Sequence, residues 1–207
     1  MLLERTPYYY LEPHPDDMIL SAGELFLQHP PEKVVTVFYG RNKSHGTKRI
    51  CNKRDVKYEN WKIPDIDFVN KRVEVTAEEG ELIARKTRAF LQKGAFVLTN
   101  LGSSHAAHIW LRNFLINNID KQLLNRLFFV RDFPNGWRKE RDFYAQSKNM
   151  KLIQEIDDKK LFKQKIDLFF KNYNSQRPLQ LCNKDLFATP VPEQYFIYKP
   201  SKKQEWW

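Results

Sequence analysis

Tyr8-Tyr9-Tyr10-Leu11-Glu12-Pro13-His14-Pro15-Asp16-Asp17, running on into Met18-Ile19-Leu20, sets the reading of the whole chain. A short aromatic and apolar run ends at Leu11, two prolines bracket a histidine, two carboxylates follow, and apolar residues then recur at helical spacing to Gln28. Proline fixes its own φ and pushes the residue before it out of helical geometry, so Pro13 and Pro15 place a backbone break around His14. The stretch therefore reads as strand, tight loop and helix.

The same alternation continues outward from this unit. Strands are expected at Tyr8 to Leu11, Val34 to Phe38, Ile66 to Val69, Phe96 to Thr99 and Leu127 to Val130. Helices are expected at Met18 to Gln28, Lys53 to Lys62, Ala77 to Gln92 and Ala106 to Asn117. This order predicts an α/β fold, a Rossmann-like, mostly parallel sheet flanked by helices. Helical spacing returns from Lys151 to Asn174, and the proline- and aromatic-containing tail from Leu186 to Trp207 reads as an irregular or extended wrap. In such sheets ligands bind beyond the carboxyl ends of the strands. Two polar stretches fall there as candidate rims, Gly40 to Asn52 and Asp132 to Lys148, the second holding the turn signal Pro134-Asn135-Gly136.

The chain has 207 residues, of which 42% are hydrophobic and 14% aromatic, enough to build one cored domain over 1–207 and too apolar for a disordered chain. Cys51 and Cys182 are too few for a disulfide scaffold and too far apart in sequence for a Cys-x-x-Cys site, so any metal falls to histidines and carboxylates. No apolar run reaches the roughly 20 residues needed to span a bilayer, and the N-terminus has no signal pattern, which reads as a cytoplasmic protein. Thirty-five Lys and Arg against twenty-five Asp and Glu give a net charge of +10. The basic residues are densest from Arg41 to Lys57 and from Arg138 to Lys151, on the two rims, which makes Arg49 and Arg138 candidate contacts for an anionic substrate.

Chemistry concentrates at two places. His14, Asp16 and Asp17 follow the first strand, and His105-Ala106-Ala107-His108 follows the fourth through the turn Asn100 to Ser104. Both lie at one end of the sheet. His14, Asp17 and His108 supply two histidines and one carboxylate, the open ligand set of a catalytic zinc site, and Asp16 is then left as a base. The competing structural reading has Asp16, Asp17 and the later histidines as caps and first-turn residues of their helices. Of the remaining histidines, His29 reads as a helix-terminus residue and His45 as part of the polar loop.

Pro13-His14-Pro15-Asp16-Asp17, Gly23 in the following helix, Val35-Thr36-Val37-Phe38-Tyr39-Gly40 and His105-x-x-His108 together resemble the zinc-dependent N-deacetylases of the PIG-L/LmbE group. The resemblance runs over roughly the first 110 residues, and Tyr173-Asn174-Ser175-Gln176 is similar to a Ser-Gln segment near that family's C-terminal part. It implies an LmbE-like fold and assigns His14, Asp17 and His108 as ligands of Zn2+ or another divalent transition metal. It also implies Asp16 as general base and His105 as the residue that stabilises the oxyanion or helps protonate the leaving amine. The implied activity is removal of an acetyl group from an N-acetylated amino sugar or its phosphate or nucleotide conjugate. Three positions depart from the family's pattern: Met18 replaces the glutamate after the two aspartates, Ala107 replaces an aspartate before the last ligand, and no acid stands three residues after Arg49 or Arg54. A family member without catalysis that binds a sugar or sugar nucleotide is the first alternative. A basic nucleic-acid-binding protein is the second, disfavoured because the charge is scattered and no zinc-finger, RRM or KH signature is present.

Overall fold

The structure, a computed structural model, describes residues 6–39, 45–66, 74–103, 105–134, 137, 141, 143, 146–173 and 184–199. β1 (Tyr8–Glu12) has all five residues buried, the mark of a strand covered on both faces. It leads into α1 (Asp17–Gln28), β2 (Lys33–Tyr39), α2 (Gly46–Lys53) and β3 (Lys57–Pro64). Then come α3 (Ala77–Gln92), β4 (Phe96–Asn100), α4 (Ala106–Asn118), a 3-10 turn (Lys121–Arg126) and β5 (Leu127–Val130). The described chain ends with β6 (Met150–Ile156), α5 (Lys159–Asn172), α6 (Lys184–Ala188) and β7 (Glu193–Tyr198).

The seven strands form one sheet in the order β3-β2-β1-β4-β5-β7-β6. The first five are mutually parallel, while β7 runs antiparallel to both β5 and β6. Side chains alternate across the pleat, so β1 feeds two cores. Tyr8 and Tyr10 pack with Leu25 and Phe26 of α1, Ile50 of α2 and Phe169 of α5, whereas Tyr9 and Leu11 pack with Ile83 and Leu91 of α3 and Leu111 and Leu115 of α4. This is the expected α/β sheet with helices on both faces, and its parallel strands all point their carboxyl ends to one edge.

Several expected elements move. The helix expected over Lys53 to Lys62 is instead the end of α2 followed by β3. Asp55 adopts φ 56° and the N–H groups of Arg54 and Val56 both return to the Cys51 carbonyl, which closes α2. The third strand thus lies earlier than Ile66 to Val69; Ile66 is past its end, and 67–69 lie outside the described residues. Part of the polar loop from Gly40 to Asn52 is α2 itself. The helical span from Lys151 to Asn174 divides into β6 and α5 at Asp157-Asp158, where Asp158 Oδ1 caps α5 by accepting from the N–H groups of Lys160 (2.8 Å) and Leu161 (3.0 Å). The tail contains α6 and the interior strand β7, while 200–207 lie outside the described residues.

α1 is interrupted at Ala22 (φ −128°, ψ 27°). The Glu193 carboxylate of β7 accepts from the N–H groups of Glu24 (2.8 Å) and Leu25 (3.1 Å) just beyond the break, acting as an internal cap. Lys165 Nζ lies 2.9 Å from Glu193 and 3.2 Å from Glu24, all three side chains being about 1% exposed. Gly23 is required at this crossing, since a Cβ there would stand 2.8 Å from the Cβ of Lys165. Among the described residues no helix is long and apolar enough to cross a membrane.

Candidate active site

The loop between β1 and α1 is tied down by its own backbone. The N–H groups of Asp16 and Asp17 both donate to the His14 carbonyl (2.8 and 3.2 Å), and that of Phe38 donates to the Pro13 carbonyl (3.0 Å), which sews the loop to β2. Across the sheet edge, the segment after β4 turns through Gly102 (φ 74°). A Cβ at that residue would come within 2.6 Å of the Ile109 backbone nitrogen, so glycine alone lets the turn lie against the first turn of α4. That contact brings His105 and His108 over the β1 loop.

Three donor atoms converge there. His14 Nδ1 and His108 Nε2 lie 3.2 Å apart, His108 Nε2 and Asp17 Oδ2 3.1 Å, and His14 Nδ1 and Asp17 Oδ2 3.4 Å. Bonds of 2.0 to 2.1 Å at tetrahedral angles separate ligand atoms by about 3.3 Å, so one face of a zinc tetrahedron fits this triangle. His105 stands further out. Its ring meets that of His14 edge-on at 4.7 Å between centroids, and the donor atoms of His14, His105 and His108 span up to 4.8 Å. The tighter set is therefore the two histidines with Asp17, and His105 borders it.

Each of the two inner imidazoles has a carboxylate on its far nitrogen. His14 Nε2 meets Asp65 Oδ1 at 2.9 Å, and His108 Nδ1 meets Asp132 Oδ1 at 2.7 Å. An ionised carboxylate only accepts, so both far nitrogens carry a proton, and once the rings give up their second proton to a metal both lone pairs face the triangle. Asp132 is itself fixed from below: Asn100 Nδ2 donates to its Oδ1 (3.0 Å), the Ser103 N–H donates to its Oδ2 (2.9 Å), and the Tyr10 hydroxyl holds Asn100 (2.8 Å). Sequence reasoning missed Asp65 and Asp132 as partners. The available signal was position, because Asp65 directly follows β3 and Asp132 comes two residues after β5, both at the carboxyl edge.

The charges agree with a cation-seeking centre. Burial would lower the pKa of His14, but its bonds to Asp17 and Asp65 outweigh that and raise it to about 9. For His108, burial is likewise outweighed by Asp17 and Asp132, and its pKa is raised. Burial pushes Asp17 up, yet His108 and His14 pull it well below the ordinary carboxylate range. The pull that draws extra protons onto the two rings draws a metal ion equally. Burial and the negative Asp17 lift Asp16 to about 7. His105 reaches solvent, but the protein around it and the positive His108 and His14 hold its pKa down to about 4.

The capping alternative is right about position, since Asp17 and His108 lie in the first turns of α1 and α4, but not about capping bonds. Asp16 and His105 occupy the N-cap positions of α1 and α4, and neither side chain makes a capping hydrogen bond. His29 does end α1, and His45 is exposed at the start of α2. Met18 and Ala107 are buried in the core. Arg49 sends its guanidinium to the Asn172 carbonyl at the end of α5, and Arg138 lies outside the described residues.

No family model matches the sequence, and no curated protein does. The fold is that of solved deacetylases. A deacetylase of the teicoplanin biosynthesis pathway, solved as its bog complex, aligns over 96% of this chain and 100% of its own with a TM-score of 0.61 and 14% identity. A triple mutant of a teicoplanin-pathway deacetylase, Orf2*T, aligns over the same shares with a TM-score of 0.62 and 15% identity. Dbv21, the A40926 pseudoaglycone deacetylase, aligns over 94% of this chain and 97% of its own, with a TM-score of 0.58 and 15% identity. At this identity the likeness is one of backbone architecture, and it extends over nearly the whole of each chain.

Proposed function

We propose that this protein is a metal-dependent hydrolase that removes an N-acetyl group from an amino sugar or a conjugate of one. The observation that carries the reading is the triangle of His14, Asp17 and His108, closed to 3.1–3.4 Å with a second carboxylate, Asp16, in the same loop. The resemblance to the PIG-L/LmbE pattern and the deacetylase-like fold support it. His14, Asp17 and His108 would hold Zn2+ or another divalent transition metal, which when bound lowers the pKa of a water to about 7 and polarises an acyl carbonyl.

The chain's own groups supply the rest. Asp16, the carboxylate that precedes Asp17 in the same loop, takes the proton of the attacking water and returns it to the leaving nitrogen. His105, neutral at neutral pH, offers a ring N–H to the oxygen that becomes negative as the carbonyl carbon turns tetrahedral. Asp65 and Asp132 keep the two inner rings in the tautomer that leaves their lone pairs inward. Acetate and a free amine are the products. The net charge of +10 favours phosphate or nucleotide conjugates among the sugars to be tried.

The reading is tested by metal analysis together with acetate release from a panel of N-acetylhexosamines and their phosphate and nucleotide conjugates. One tightly bound divalent ion per chain and acetate release are expected. His14→Ala should abolish both, and Asp16→Ala should abolish hydrolysis while keeping the metal. Protein purified without chelator that carries no divalent ion and takes none up defeats the proposal.

A further inference from the structure

Glu12 is the last residue of β1 and is wholly buried on the face shared with Tyr8 and Tyr10. Its Oε1 accepts the Thr36 hydroxyl at 2.5 Å, and its Oε2 accepts the Thr47 hydroxyl at 3.1 Å and, at a longer 3.4 Å, the Met18 N–H. Each threonine hydroxyl is shared with a tyrosine, Thr36 with Tyr58 (2.8 Å) and Thr47 with Tyr173 (2.6 Å). Gly46 permits the second pair, since a Cβ there would fall within the Tyr173 ring. One carboxyl group thus ties β1 to β2, to α2, to the residue that follows α5 and to the first turn of α1.

The bond to Met18 gives this hub its meaning. Met18 is the second residue of α1, and its N–H is one of those that a capping aspartate ordinarily satisfies. Asp16 stands at the N-cap position and makes no capping hydrogen bond with its side chain. Glu12 takes that donor from beneath, so a single side chain secures the loop at its entry, through its own backbone, and at its exit, through Met18. The residues between are His14, Asp16 and Asp17. Where the resembled motif carries glutamate at position 18, this chain has methionine, and the acid under the loop comes from position 12 instead.

Resting on the hydrolase reading, we propose that Glu12 is a positioning residue: it caps α1 in place of Asp16 and holds the loop so that His14 and Asp17 keep their places in the triangle while the Asp16 carboxyl is kept for proton transfer. The test compares Glu12→Ala, Glu12→Gln and Leu115→Ala, the last a core truncation on the other face of the sheet. Zinc affinity is measured by chelator competition, the absorption spectrum is taken after cobalt substitution, and melting is followed alongside. Glu12→Ala should weaken zinc by about tenfold or more and alter the cobalt spectrum, in line with losses seen when outer partners of metal ligands are removed. Glu12→Gln, whose amide oxygen still accepts from Met18, should restore the spectrum and hold zinc within about threefold of wild type. Leu115→Ala should melt lower with zinc affinity and spectrum unchanged. Glu12→Ala protein with wild-type zinc affinity and spectrum overturns the proposal. If Glu12→Ala does not fold, Thr47→Val should shift the cobalt spectrum away from that of the wild type, and an unshifted spectrum overturns the proposal. Wild-type protein that binds no zinc refutes the hydrolase reading and this role together, whereas zinc-binding wild type with an indifferent Glu12→Ala refutes this role alone.

Discussion

Replacing Asp132 by Asn should weaken metal binding more than replacing Asp65 by Asn, and the two carboxylates differ in ways that set the sizes. The Asp132–His108 pair is closed at 2.7 Å with side chains 5% and 6% exposed, while the Asp65–His14 pair is at 2.9 Å with side chains 20% and 16% exposed. A buried charge-assisted hydrogen bond contributes roughly 1.5 to 3 kcal/mol, and solvent screening trims the more open pair. Asp132 also cannot be mimicked by an amide. Its Oδ1 receives His108 and Asn100 and its Oδ2 receives the Ser103 N–H, so an NH2 group at either position faces a donor. Loss of the charge plus one opposed donor predicts zinc binding weaker by about 30- to 100-fold for Asp132→Asn, or about 2 to 3 kcal/mol, against about three- to tenfold for Asp65→Asn. Competition with a chromophoric chelator at fixed pH reads both constants, and a melting curve for each metal-free variant separates ligand positioning from general loss of fold. Equal effects, or a larger effect at Asp65, would show that burial of the partner is not what sets its strength.

Two further outcomes follow from the buried charges. In the metal-free protein, His14 has a folded pKa of about 9 against about 6.5 unfolded, so its contribution is whole below about pH 6.5 and is lost as pH rises through 9; the displacement is worth on the order of 3 kcal/mol. Asp16, raised to about 7, acts in the same direction at lower pH. Chelator-treated protein should therefore melt lower at pH 9.5 than at pH 6.5, with part of the difference gone in His14→Gln and part kept by His108, whose pKa is raised as well; identical melts in the parent would refute the charge assignment. Lys165→Met strands two buried carboxylates and should cost about 3 to 5 kcal/mol at pH 7.5. Burial and Glu193 already raise Glu24 to about 7, so its protonation in acid should shrink that loss at pH 5.5. Urea unfolding at the two pH values decides this, and an equal loss at both contradicts it.

What could be read from the sequence was local and covalent. The prolines around His14 fix a strand-loop-helix break, and the short unbroken runs of β1, β2, β4 and β5 are buried on both faces. β3 escaped because its first half does not alternate and Tyr58 and Trp61 stand three residues apart, a helical spacing, before a register shift against β2 and a positive φ at Lys62. β6 is an edge strand whose inward pattern is regular only from Gln154 to Ile156, and only Asp157-Asp158 divides it from α5, so the two merged into one helical span. At the site, His14, Asp17 and His108 were legible because each sits in a dense local cluster. Asp65 and Asp132 were not, since neither has a histidine near it in sequence, the partners lie 51 and 24 residues away, and only the order of strands in the sheet makes them neighbours.

The break in α1 has a consequence for how the chain is made. The N–H groups of Glu24 and Leu25 wait on Glu193, which lies 169 and 168 residues further along. As the polypeptide emerges from a ribosome, the opening βα unit can form its strand and its first helical turns, yet the helix that presents Asp17 keeps two donors without their native acceptor until nearly the last strand has been synthesised. Lys165 arrives earlier with a charge that only Glu24 is present to answer, and β7 then closes both accounts by threading between β5 and β6. Assembly of the N-terminal site is in this sense a late event of synthesis, set by the most C-terminal strand described.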